Sequence, residues 1–168
     1  MIFFTLGSHQ PFDRLVQAVD DWCAASGRGA DVFGQVVDPG AAGYRPRHFD
    51  WVTHLPPAEY RRRFETADFV IAHAGMGSII TAMSAGVPIA VLPRRARFGE
   101  MRNDHQVATV KRFRGRPGIH AALWEDELPA ILDALAAGPG RAGAPDRISP
   151  FAEPRLTAAL KRMIRGKE

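Results

Sequence analysis

Cysteine is nearly absent from this sequence. Cys23 stands alone among 168 residues, which excludes an internal disulfide and any multi-cysteine zinc site. Its place on an amphipathic helical stretch suits a buried structural thiol better than a nucleophile. Long apolar runs are lacking too, and none approaches the ~20 residues that span a bilayer. The opening Met1-Ile2-Phe3-Phe4-Thr5-Leu6-Gly7 has neither the basic start nor the small-residue cleavage site of a signal peptide, so a cytoplasmic location is expected. Three nucleotide signatures are missing as well. Gly7-Ser8-His9-Gln10-Pro11 does not continue as G-x-G-x-x-G, and no Walker-type G-K-[ST] occurs. No Asp-x-Asp pair is present to hold a cation beside a diphosphate, and no cofactor or metal is expected. Hydride transfer and ATP hydrolysis lose ground, while a phosphate-containing ligand of another kind remains.

What is present is an ordinary globular composition, 46% apolar and 24% charged, with a formal charge of +4. The length fits one domain with a substantial core. The basic residues cluster at Arg61-Arg62-Arg63, at Arg94-Arg95-Ala96-Arg97, and near the end at Lys161, Arg162, Arg165 and Lys167. Each cluster reads first as a solvated face. Nucleic acid is not expected as a partner, because no aromatic-basic interleaving or reader motif accompanies them.

Strand and helix patterns alternate along the chain. Ile2 to Leu6 reads as a buried strand, followed by a helix opened by Pro11 with Phe12, Leu15, Val16, Val19 and Trp22 on one side. Further strands are expected over 31–37, 48–52, 68–72, 87–93 and 117–121. The intervening helices are expected over 59–66, 78–85 and 104–112, with another running from the acidic Glu125 to Ala137. The Gly/Pro-rich stretch 138–150 reads as a linker, and 151–168 as a basic C-terminal helix. This order predicts an α/β fold, a Rossmann-like parallel sheet with helices on both faces, occupying residues 1–137.

In such folds ligands bind outside the carboxyl ends of the strands. Gly7 and Ser8 follow the first strand there, and His73-Ala74-Gly75-Met76-Gly77-Ser78 follows the fourth. Glycines in the second loop let a phosphate approach the backbone, and the helix that follows favours negative charge. A tight strand-to-helix turn would explain the same glycines. After the fifth strand come Glu100, Asn103, Asp104 and Gln106, a mixture of acceptors and amides suited to sugar hydroxyls. Asn103 or Asp104 would equally serve as a helix cap. Gln106 has no such use.

At these three segments the sequence resembles the C-terminal, donor-binding domain of family-28-type glycosyltransferases, equivalent to the C-terminal half of a GT-B enzyme. The family includes the catalytic subunit of two-subunit UDP-N-acetylglucosamine transferases and bacterial exopolysaccharide subunits. The similarity rests on His73 to Ser78, on Ala85-Gly86-Val87-Pro88 and on Asn103-Asp104-His105-Gln106. It implies inverting, metal-independent transfer from a UDP-sugar, with N-acetylglucosamine the candidate sugar, in cell-surface polysaccharide or glycolipid synthesis. It would put Gly75, Gly77 and Ser78 at the diphosphate, His73 beside it, and Asp104 and Gln106 toward the sugar. Gly7 and Ser8 would line the cleft, and Arg94, Arg95 or Arg97 would assist the leaving group.

One position departs from the family pattern. Where many relatives hold the ribose with a glutamate, this chain has Thr81, a poorer partner for a vicinal diol than a bidentate carboxylate. Either Glu100 takes over or the nucleotide sits differently. Because the chain starts at the strand before Gly7, the acceptor domain is expected on a membrane-anchored partner subunit. The basic clusters would then help at the membrane surface. His9 is the one local candidate for a base, and no catalytic residue is assigned. The competing expectation is a non-catalytic nucleotide-sugar-binding or regulatory module.

Overall fold

The computed structural model describes residues 1–7 and 10–138, together with Pro145 and Ala158. The strands are β1 (Ile2–Thr5), β2 (Val32–Gln35), β3 (Asp50–Val52), β4 (Phe69–His73), β5 (Ile89–Leu92) and β6 (Ile119–Ala121). The helices are α1 (Asp13–Ser26), α2 (Pro57–Thr66), α3 (Met76–Ala85), α4 (His105–Phe113) and α5 (Leu128–Ala137). Ser8, His9, the expected linker apart from Gly138 and Pro145, and the expected C-terminal helix apart from Ala158 lie outside the described residues.

All six strands pair in parallel, in the order β3-β2-β1-β4-β5-β6. Parallel strands buried on both faces need apolar side chains pointing both ways, and the sequence supplies them. On one face Phe4, Leu6, Ile71 and Leu92 pack against Leu15, Val16 and Val19 of α1 and Leu128 and Leu132 of α5. On the other, Phe3, Val70, Ala72 and Val91 meet Phe64 of α2, Ile79 and Ala82 of α3, and Val110 of α4. Each of these larger side chains gains roughly 1.5–3 kcal/mol from leaving water. The Rossmann-like sheet expected from the alternation is therefore present. Its order reverses between β1 and β4, and there the loops that follow neighbouring strands diverge to leave a crevice.

The element boundaries differ from the sequence pattern in instructive places. β2 is shorter than 31–37 and β3 shorter than 48–52, because the segment between them is held by a side chain rather than by the sheet. Asp20 of α1, fully buried, accepts hydrogen bonds from the Tyr44 hydroxyl (2.8 Å) and the backbone N–H groups of Arg47 (2.9 Å) and His48 (2.8 Å). Trp22 donates its indole N–H to Asp133 at 2.8 Å, fastening α1 to α5. Cys23 is buried, as expected, and burial together with nearby Asp20 pushes its thiol up to about 12. The arginine run on α2 is less free than its sequence suggests. Arg62 and Arg63 both pair with Glu59, and Arg63 lies 3.4 Å above the Phe33 ring. Among the described residues no helix is long and apolar enough to cross a membrane.

Burial works to raise the Asp20 pKa, but the hydrogen bonds from His48, Tyr44 and Arg47 outweigh it and hold the carboxylate below its ordinary value. Asp20→Ala leaves several donors unmet and is expected to lower the urea-unfolding free energy by roughly 2–4 kcal/mol. A depressed folded pKa contributes stability above the unfolded value and loses it as the pH falls through the folded one. Melts taken below about pH 4 should accordingly show a shallower acid limb for Asp20→Asn than for wild type.

Candidate functional site

Because every strand runs the same way, the loops after β1, β4 and β5 open on one edge of the sheet. They enclose a cavity of about 370 Å³ lined by Leu6, Gly7, Gln10, Tyr60, His73, Gly77, Ser78, Arg94, Met101 and Gln106. The sequence pattern had pointed to Gly7, His73, Gly77, Ser78 and Gln106 among these. Gly7 turns at φ 72°, a left-handed conformation that glycine adopts without strain. Its N–H donates to Thr5 Oγ1 at 3.1 Å, and its carbonyl accepts from Gln35 Nε2 at 3.3 Å. Gln35 Oε1 in turn accepts from Leu55 N at 3.0 Å, so one buried amide joins the ends of β1 and β3.

The glycine loop after β4 is shorter than the sequence suggests, since α3 already begins at Met76 rather than near Ser78. Gly75 occupies the N-cap, and no side chain caps this helix end. The first turn thus presents backbone N–H groups and the positive end of the helix dipole to the cavity edge. Met76 is exposed, whereas Ser78 is buried. A Cβ on Gly77 would meet no protein atom within 4 Å, leaving its backbone open to a ligand. Gly75 is different. A Cβ there would fall 2.3 Å from His73 Nε2, so glycine is needed for the imidazole to lie against the loop. Ala74 is buried beneath, its N–H bonded to the Leu92 carbonyl at 2.9 Å.

His73 is partly buried, and its Nδ1 makes no hydrogen bond with the described residues. Burial, reinforced by the Arg94 charge, pushes its pKa down to about 4, so the ring is neutral near pH 7. Arg94 is 3% exposed and is not one of the surface charges its sequence cluster suggested. Its guanidinium donates to the Pro11 and Gln10 carbonyls at 2.5 and 2.6 Å and lies 4.7 Å from the Phe12 ring centroid. Burial lowers its pKa to about 10 against the opposing effect of Glu100, and it stays charged at neutral pH. Arg95 and Arg97 instead stack on Trp124, at 3.5 and 4.4 Å.

The polar residues after β5 have structural partners. Arg94, Arg95 and Ala96 donate their successive backbone N–H groups to Gln106 Oε1 (3.1 Å), Glu100 Oε2 (2.8 Å) and Asp104 Oδ1 (2.8 Å). Gln106 is 2% exposed and lines the cavity. Asp104 sits at the N-cap of α4 without capping it, because its carboxylate turns back to Ala96. Asn103 contacts His105, is exposed and does not line the cavity. Thr81, one turn into α3, donates its hydroxyl to the Gly77 carbonyl at 2.8 Å.

Tyr60, Gln10 and Met101 were not singled out from sequence as cavity residues, and Arg94 was named only as one of three arginines that would assist the leaving group. Arg94 follows Leu92-Pro93 at the end of a buried strand, and that position was the available signal. Tyr60 gave none, because its place depends on α2 packing its ring edge-on to Phe3, 5.4 Å between centroids.

The depressed His73 pKa has a consequence for stability. As the pH falls, the unfolded chain takes up this proton near 6.5 while the folded chain resists until about 4. The neutral ring's contribution is therefore complete above the first value and lost toward the second. His73→Gln should abolish up to roughly 3 kcal/mol of the wild-type decline in unfolding free energy across that window, measured by urea melts. An identical decline in both proteins would show that the imidazole titrates as it does in water.

Comparison with known proteins agrees with this architecture. Over 61 residues the chain is 38% identical to NDP-glycosyltransferase YjiC of Bacillus subtilis (strain 168), covering 36% of this chain and 15% of that protein. The crystal structure of the glycotransferase of kitacinnamycin superposes with a TM-score of 0.59 at 22% identity, covering 98% of this chain and 39% of the other. The NMR solution structure of ALG13 gives a TM-score of 0.54 at 17% identity, over 96% of this chain and 93% of its own. The chain thus spans well under half the length of YjiC and of the kitacinnamycin enzyme. The fold is that of the C-terminal half of a GT-B glycosyltransferase. The family model for this half matches residues 1–145, and the chain belongs to the glycosyltransferase family 28 C-terminal domain.

Proposed function

We propose that this chain binds the nucleotide-sugar donor of an inverting, metal-independent glycosyltransferase. The donor is a UDP-sugar, with N-acetylglucosamine the candidate sugar. The acceptor, a lipid-linked or other glycan of cell-surface polysaccharide or glycolipid synthesis, is held by a membrane-anchored partner subunit at the cytoplasmic face. The observation that carries this reading is the cavity at the strand ends, where Gly77, Ser78, His73, Arg94 and Gln106 converge. YjiC, named for nucleoside-diphosphate sugars, points to the same donor class. ALG13, matched over nearly its whole length, is a relative of similar extent.

In this reading the diphosphate rests on the first turn of α3, accepting from the backbone around Gly75, Met76, Gly77 and Ser78. Arg94 and the helix dipole stabilise the charge that develops on the leaving group. Gly7 lines the cleft, and Ser8, the next residue in sequence, is assigned to the same donor site. Gln106 spends its amide oxygen on Arg94 N and keeps its amide nitrogen for a sugar hydroxyl, while Asn103 and Asp104 border the same loop. The non-catalytic alternative is favoured by Thr81, whose hydroxyl is already committed to Gly77 and offers the ribose no carboxylate.

Calorimetric titration with UDP-, GDP- and dTDP-sugars tests the reading. UDP-sugar binding is expected, weakened about tenfold or more (~1.4 kcal/mol) by Gly77→Val, with Gln106→Ala costing a similar factor for the sugar nucleotide. Gly77→Val should fold normally, since a Cβ there meets nothing within 4 Å outside its own helix and the position needs no left-handed backbone. Absence of nucleotide binding, with or without a partner, would overturn the donor site. Sugar transfer should appear only when the acceptor subunit is added, and brisk transfer by this chain alone would refute the division of labour.

A further inference from the structure

Glu100 stands out because its environment leaves it no free oxygen. Arg14 of α1, 86 positions earlier, donates Nε to Glu100 Oε1 at 3.0 Å and Nη2 to Oε2 at 2.9 Å. The second oxygen also accepts from Arg95 N at 2.8 Å. The pair is largely enclosed, with side-chain exposures of 14% and 12%. Arg14 does more than neutralise one carboxylate. It donates to the Pro93 carbonyl at 2.9 Å and to Glu125 at 2.7 Å, and lies near the Phe12 and Phe98 rings. A planar guanidinium with five donors is suited to tying several segments at once. Here those segments are the start of α1, the end of β5, the loop 94–104 and the turn before α5.

We infer that Arg14 is a positioning residue for the donor loop. It holds loop 94–104 in place through Glu100, and Glu100 serves that loop instead of reading the ligand. The three successive N–H groups of Arg94, Arg95 and Ala96 support this assignment. Each is anchored by a different side chain, and the middle anchor is the one that Arg14 fixes from outside the loop. The neighbouring anchors, Gln106 and Asp104, each have polar atoms to spare. Releasing Glu100 frees the segment between them and moves Arg94 and Met101, the loop residues that line the cavity, together with Gln106 in the first turn of α4. The effect on ligand rests on the donor-site reading above, whereas the effect on the loop does not.

Two measurements separate these. Amide hydrogen exchange in the ligand-free chain reads the loop directly. Arg14→Met should speed exchange across 94–104 about tenfold while leaving β2 and β3 amides unchanged, and Arg14→Lys should restore part of the protection. Unchanged loop exchange, or equal acceleration everywhere, overturns the proposal. Titration with UDP and with UDP-N-acetylglucosamine then reads the consequence. In Arg14→Met the extra affinity conferred by the sugar should fall about tenfold, with UDP alone affected less. A double-mutant cycle with Glu100→Gln should be strongly non-additive, the double variant behaving like the worse single one. Additive losses would mean that Glu100 touches the ligand by itself. If wild type binds neither probe, the donor-site reading fails while the exchange experiment still decides the role of Arg14.

Discussion

The parallel pairing of β1 with both β2 and β4 is the constraint on which everything else depends. It places β2, reached through α1, on one side of β1, and β4, reached only after the return through β3 and α2, on the other, so the sheet order reverses there. With every strand pointing the same way, the loops after β1, β4 and β5 have no choice of edge. The apolar alternation of Phe3 and Phe4 fixes α1 on one face and α2 on the other. A single-residue slip of β1 would exchange these faces and remove the crevice along with the core.

At that edge, polar groups are held by one another more than by solvent. Gln35, buried in β2, supplies a donor to Gly7 and an acceptor to Leu55. Gln106, Glu100 and Asp104 supply acceptors to consecutive N–H groups after β5. A strand end that enters a loop without such partners would leave buried N–H groups unmet, at a cost of roughly 1–3 kcal/mol each. Residues that look like ligand readers therefore build the loop first. What they have left over is what a ligand can use.

The electrostatics of the cavity follow from the same arrangement. Arg94 is buried but charged, the first turn of α3 adds its positive end, and His73 between them is kept neutral. Glu100, the carboxylate whose charge acts on Arg94, is paired with Arg14. The net field favours an anion.

The sequence by itself determined the architecture and pointed to the sheet edge that carries the candidate site. Short continuous apolar runs, amphipathic stretches with period 3.6, and glycines at strand ends are local signals, and they located β1, β4, β5 and the edge where they end. The family resemblance of His73 to Ser78 and Asn103 to Gln106 was legible for the same reason, since those motifs are contiguous. Only the tertiary structure decided which arginine of Arg94, Arg95 and Arg97 is buried, that Arg14 claims Glu100, and that Asp20 gathers a loop 24 to 28 positions away. Such pairings depend on where distant backbone segments meet. Neighbouring arginines are alike as a string of letters, and become different only when one of them follows a buried strand into a cavity and the others fall against Trp124.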